Sequence, residues 1–256
     1  MRRVLGLIGL LAASGCDASI KDGVNNNNGV DAGSGSSTGE DAGLVQSDAA
    51  TADAAVVCTQ ARSVYLNFEG QTLTKATASD ATTNKAAWLN KATGTAPAFR
   101  ANSGNRAADI TQITNGITAA LAAIPVDVVT TRPTTGAYMM VVFGGTAAQI
   151  GSDFGGAVQK LDCGNLVTSD VAWVADGVTP NQRVINFALG AIGFGVGLTA
   201  TTETGDCMCG WDNQCQQSTA QCTFSASIAR DPAANQLCPN VTTQNEPQSL
   251  QQGFCQ

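Results

Sequence analysis

The residues with the widest chemical reach in these 256 positions are nine cysteines, and the chain contains no histidine at all. Without an imidazole there is no Ser-His-Asp triad, no Cys-His pair and no histidine-ligated metal. A cysteine sulfur can carry lipid, close a disulfide or bind zinc, and position separates these uses. Cys16 stands alone near the start. The other eight, Cys58, Cys163, Cys207, Cys209, Cys215, Cys222, Cys238 and Cys255, form an even set able to close four disulfides in an oxidising compartment. Their spacing does not choose among the possible pairings. From Cys207 to Cys222 the paired C-x2-C knuckles of a zinc ribbon are missing, which makes thiolate zinc the lesser use. The letters G-x-S-x-G occur only at Gly35-Ser36-Ser37-Thr38-Gly39, with no strand pattern before them or helix pattern after them to make a nucleophile elbow. Lys75, Lys85, Lys91 and Lys160 sit in no recognisable Ser-Lys pattern.

A second unusual feature is Gly190-Ala191-Ile192-Gly193-Phe194-Gly195-Val196-Gly197-Leu198. A glycine inside a helix costs about 1 kcal/mol relative to alanine, so four in one apolar run need a reason. Phosphate binding fits poorly, because the order is neither G-x-G-x-x-G nor a P-loop with its lysine, and no nucleotide is expected. A membrane span also fits poorly, since Asn186 and the glycines interrupt it. Close packing of a buried helix is one explanation.

The other is a resemblance. Residues 190–200 fall into register with the metzincin zinc-protease pattern H-E-x-x-H-x-x-G-x-x-H, with Gly193, Gly197 and Leu198 matching places where many metzincins carry glycine, glycine and leucine. The three histidine positions hold Gly190, Phe194 and Ala200, and the glutamate position holds Ala191. Downstream, Asp206-Cys207-Met208-Cys209-Gly210-Trp211 resembles the Met-turn, which makes Met208 the candidate methionine beneath the site. The resemblance implies a zincin-like domain whose zinc ligands and catalytic base are gone: a hydrogen, a phenyl ring and two methyl groups neither hold a metal nor take a proton from water. It therefore implies no catalytic residue, no metal, no cofactor and no enzymatic activity. An active hydrolase built on other groups, such as Glu203, Asp206 or Asp212, is the alternative and requires a wholly new site.

The elements that must position these residues follow from periodicity. Ser63 to Phe68 alternates as a half-buried strand, and residues 71–106 give only weak signals. Ile110, Ile113, Ile117, Leu121 and Ile124 recur at helical spacing until Pro125. Val126–Thr131, Tyr138–Phe143 and Val171–Val174 read as strands, and Ala157–Leu161 as a short edge strand. For the second helix Thr179 is the expected N-cap, Pro180 the first helical residue and Gln182 the partner in a capping box, with the helix running towards Gly197. Trp88, Trp173 and Trp211 read as core or half-buried aromatics. The expected fold is α+β and zincin-like: a mixed twisted sheet with two main helices and a disulfide-rich C-terminal region from about residue 203.

Ahead of this domain, Arg2-Arg3, the apolar Val4–Ala13 and the small residues before Cys16 have the layout of a secretory signal peptide over residues 1–15. Ala13-Ser14-Gly15-Cys16 resembles a bacterial lipobox, which implies lipid on Cys16 and a membrane anchor. Residues 16–56 have seven acids, one lysine and no aromatic, and read as a disordered acidic tether without EF-hand spacing. The domain itself, residues 57–256, carries ten bases and 13 acids, so most of the net charge of −7 belongs to the tether. That balance argues against nucleic acid as a partner. Asn240-Val241-Thr242 fits a glycosylation acceptor that a bacterial lipoprotein leaves unused. The expected protein is a lipid-anchored resident of the bacterial envelope, facing away from the cytoplasm. Its expected partners are the membrane, through Cys16, and a peptide or another envelope protein, with a purely structural role as the third class.

Overall fold

The computed structural model describes residues 58, 61–210, 215, 218–232, 238 and 242–255, all within the unit Ala52–Gln256. The expected signal segment, Cys16 and the tether lie outside the described residues, as do Trp211, Asp212 and Asn240-Val241.

The apolar runs Tyr138–Phe143 (β6) and Val171–Val174 (β8) are buried along their whole length, as expected of parallel strands covered on both faces. They are neighbours in a five-stranded sheet of order β5-β1-β6-β8-β7, in which β1 is Ser63–Asn67, β5 Asp127–Val129 and β7 Ala157–Val158. The first four strands run parallel, and β7 closes one edge antiparallel to β8, pairing Ala157 with Val174 and Val158 with Trp173. The strands expected at 126–131 and 157–161 are thus real but shorter. Two helices pack on this sheet: α1 (Arg106–Ala120) contacts β5, and α3 (Asn181–Gly195) contacts β6, β8 and β7. They also contact each other, with Gly116 of α1 so near Ile185 of α3 that a Cβ there would lie 2.4 Å from Ile185 Cδ1. α1 stops at Ala120 rather than running to Pro125, although Leu121 and Ile124 still reach the core from the turns that follow. Phe68, Phe99 and Phe143 gather at the end of β1 and β6, with the Phe68 and Phe143 rings stacked 4.4 Å apart.

The start of α3 departs from the expected capping box. Pro180, not Thr179, is the N-cap residue, and no side chain caps the helix. Gln182 instead donates to Asn186 Oδ1 at 3.0 Å. The end is pinned by Asn181, which donates to Asp109 Oδ1 at 3.0 Å while Arg100 binds Asn181 Oδ1, Asp109 Oδ2 and Val178 O. Hydrogen bonds from Asn181 and Arg100 hold the Asp109 carboxyl below its usual range.

Residues 71–106, weakly patterned in sequence, form a second sheet of β2 (Gln71–Lys75), β3 (Lys85–Ala86) and β4 (Thr93–Ala96), in the order β3-β2-β4. The short helix α2 (Ala147–Ile150) packs on β4 and begins with a complete capping box from Thr146 to Gln149. In the C-terminal region a two-residue ribbon, β9 (Ile228–Ala229) with β10 (Thr243–Gln244), leads into helix α4 (Glu246–Phe254). The architecture is therefore α+β with mixed sheets and four helices among the described residues. Cysteine pairs close as Cys58–Cys255, Cys163–Cys238, Cys207–Cys222 and Cys209–Cys215, with Cα separations of 4.9 to 5.5 Å. No described helix is long and apolar enough to cross a membrane.

Candidate functional site

Helix α3 is the organising element, buried over most of its length. Asn186, fully buried in its middle, is satisfied on both sides: its amide donates to Ser218 O and Ala220 O at 3.0 and 2.7 Å, and its oxygen accepts from Gln182 and Cys222 N. One polar residue thus clips the cystine-bearing loop onto the helix. The helix ends in a Schellman turn, with Leu198 N donating to Gly193 O and Gly197 N to Phe194 O. Gly197 has φ +90°, and a Cβ there would lie 2.9 Å from Asp162 O. The turn expected at this glycine is present.

The glycines of α3 make room for neighbours. A Cβ on Gly193 would stand 2.4 Å from Met208 Sδ, so Met208, fully buried, packs directly against the helix. Its backbone N–H donates to Asp206 Oδ1 at 2.8 Å, and the flanking Cys207 and Cys209 hold the turn through disulfides to Cys222 and Cys215. Those bonds consume the sulfurs considered for zinc. A Cβ on Gly195 would meet Met139 Cε at 2.0 Å and stand 3.3 Å from both Asp170 Oδ2 and Gln159 Nε2.

Beside α3 lies an apolar cavity of about 500 Å³, lined by residues 154–161 along the sheet edge, Cys163, Phe187 and Phe194 of the helix, and Gly210. Ala175 N donates to Gly156 O, and the antiparallel register continues through Ala157 and Val158. Alternation along such a pair turns the N–H and C=O of Ala157 away from β8, towards the outer edge. Phe154 is 52% exposed at one end, Phe194 is 7% exposed in the wall, and Lys160 is the sole charged residue in the lining among the described residues.

Of the positions carried over from the protease pattern, Phe194 alone is in this lining. Gly190, Ala191 and Ala200 are buried elsewhere in the helix and the chain after it, and Ala200 O accepts from Asp231 N at 2.8 Å. Glu203 and Asp206 border a separate polar cavity with Ser225 and Ser227. Among the described residues no group of three His, Cys, Asp or Glu side chains is placed to hold a metal. Lys91 donates to Ala148 O and Gln149 O, while Trp88 and Trp173 donate to Val171 O and Gly144 O from half-buried and buried positions.

Two buried carboxyl sites escaped the sequence pattern. Glu246, at the first turn of α4 and fully buried, accepts from Ser225 N and Gln244 Nε2, while Asp206 Oδ2 accepts from Ser225 Oγ. Burial first, and Asp206 second, push the Glu246 carboxyl up to about 8. Beneath the end of α3, burial and nearby Asp162 push Asp170 up to about 7, opposed by Gln159, Arg62 and Lys160. Gln159 faces this carboxyl, yet Asp170 Oδ2 and both Gln159 amide atoms are buried without a well-formed hydrogen bond. A cue to Glu246 was available in Asn245-Glu246-Pro247-Gln248, where Asn245 caps α4 by accepting from Gln248 N.

Comparison with protein-family models, curated proteins and solved structures finds no match to this chain.

Proposed function

We propose that the chain is a lipid-anchored, extracytoplasmic protein whose domain is metzincin-like in descent, has lost its zinc chemistry, and binds an extended segment of peptide. The observation that carries the peptide reading is the outer edge of β7 running along a cavity of about 500 Å³. An unpaired strand edge offers main-chain hydrogen bonds, and an adjoining apolar cavity offers side-chain anchorage, the two components of β-strand addition. Neither depends on a metal.

Descent is supported by the parallel sheet with one antiparallel edge strand, the helix beside that edge, the glycine-led turn at its end and the cystine-flanked Met208 against Gly193. Phe194 in the cavity wall, where the pattern carries a histidine, supports the non-catalytic reading. Four disulfides fit an oxidising location outside the cytoplasm, and the lipobox-like Ala13-Ser14-Gly15-Cys16 supports the anchor.

Calorimetric titration with zinc and a peptide-cleavage assay at neutral pH test the loss of catalysis. The expected results are no saturable zinc heat and no turnover. Tight zinc binding or cleavage would favour a hydrolase built on other residues.

A further inference from the structure

We infer that the groove along β7 selects extended peptides in which an acidic residue adjoins a large apolar one, with Lys160 as the residue that sets this preference. The inference rests on the peptide-binding reading of the same groove. The apolar half of the preference follows from Phe187 and Phe194 in the wall and the half-exposed Phe154 at one end. A peptide with no bulky side chain leaves that surface in water.

The acidic half follows from charge. Lys160 contributes the cation of the lining, and no carboxylate joins it there among the described residues. It is exposed, and its ammonium rests 3.5 Å from Thr77 O. It is in no salt bridge among the described residues. Its charge acts on the buried Asp170, which also feels Asp162 and Arg62. Asp170 is largely protonated below about pH 7, because burial disfavours its anion. Burial thus weakens the carboxylate whose charge acts on Lys160, and the Lys160 ammonium remains the charge presented to the groove. A further cation, Arg183, lies over the Phe187 ring at 5.7 Å. At the opposite end Asp153, next to Phe154, accepts from Asn90 at 2.7 Å. Among the described residues the groove thus presents a cation at the Lys160 end and a carboxylate beyond Phe154, although the chain as a whole carries −7.

The test uses the full chain and three acetylated, amidated hexapeptides, Ala-Ala-X-Phe-Ala-Ala with X as Glu, Gln or Lys, titrated at pH 6.5 and low salt. The Glu peptide is expected to bind at least about threefold more tightly than the Gln peptide, as for a partly exposed ion pair, and the Lys peptide most weakly. The margin shrinks as salt rises. Lys160→Glu should invert the order, and Lys160→Met should abolish it, with thermal melting confirming that both variants fold. Equal binding of all three peptides would overturn the charge preference and leave peptide binding standing. Failure of every peptide to bind a folded protein would overturn both.

Discussion

Replacing Glu246 by glutamine gives a stability change whose sign reverses with pH. The folded carboxyl stands at about 8 rather than its ordinary 4.5, so folding takes up a proton between those values. Its stabilising share is complete below about pH 4.5 and is lost as pH rises through about 8. At about 1.4 kcal/mol per tenfold change in proton affinity, the loss across this window is roughly 4 to 5 kcal/mol at most. Glutamine removes that titration at a cost. Both Glu246 oxygens accept hydrogen bonds, from Gln244 Nε2 and Ser225 N, and the Gln244 amide is fixed because its oxygen accepts from Thr199. One acceptor therefore becomes a donor facing a donor, costing about 1 to 2 kcal/mol. Glu246→Gln is expected to be less stable than wild type near pH 5 and more stable near pH 9, by up to roughly 3 kcal/mol. Urea unfolding with intact disulfides, repeated from pH 5 to 9, reads this as two curves that cross. Parallel curves would show that Glu246 does not titrate in this window, and the account of a buried carboxyl pair with Asp206 would fail.

The remaining expectations concern the frame around α3. Gly197→Ala forces a Cβ into a backbone at φ +90° with Asp162 O 2.9 Å away, and should cost about 2 kcal/mol or more in thermal or urea unfolding. Replacing both Cys163 and Cys238 by serine removes a cross-link spanning 75 residues and should cost about 4 kcal/mol, against about 2 for the Cys209–Cys215 pair spanning six. Asp170→Asn should flatten the fall in stability between about pH 4 and 7, because the wild-type carboxyl also binds its proton more tightly when folded.

The strands β6 and β8 were legible to the residue, because each is a short apolar run with burial on both faces. α1 was legible from its isoleucines, and the body of α3 from the largely apolar, uncharged run that follows Arg183. The start of α3 was not, since the Asp109–Asn181–Arg100 network that anchors it joins positions far apart in the chain. The β2–β4 sheet was hidden for a different reason. Its strands are mostly threonine and small residues, and Gly94 packs by its missing side chain, a Cβ there falling 1.6 Å from Ile150 O. α4 shows only Leu250 and Phe254 as an apolar pair and buries Glu246, against the usual rule for carboxylates. Of the groove, Phe194 was marked by the glycine-rich run and Phe187 lies two turns earlier on the same helix, but Phe154 comes from another segment, and no local pattern brings it to them.

The measurement closest to the central claim is amide hydrogen exchange at the outer edge of β7. With saturating acetylated, amidated Ala-Ala-Glu-Phe-Ala-Ala, the amide of Ala157 is expected to slow markedly while those of β1 and β6 stay unchanged. A peptide that binds without protecting this amide would contradict strand addition at this edge.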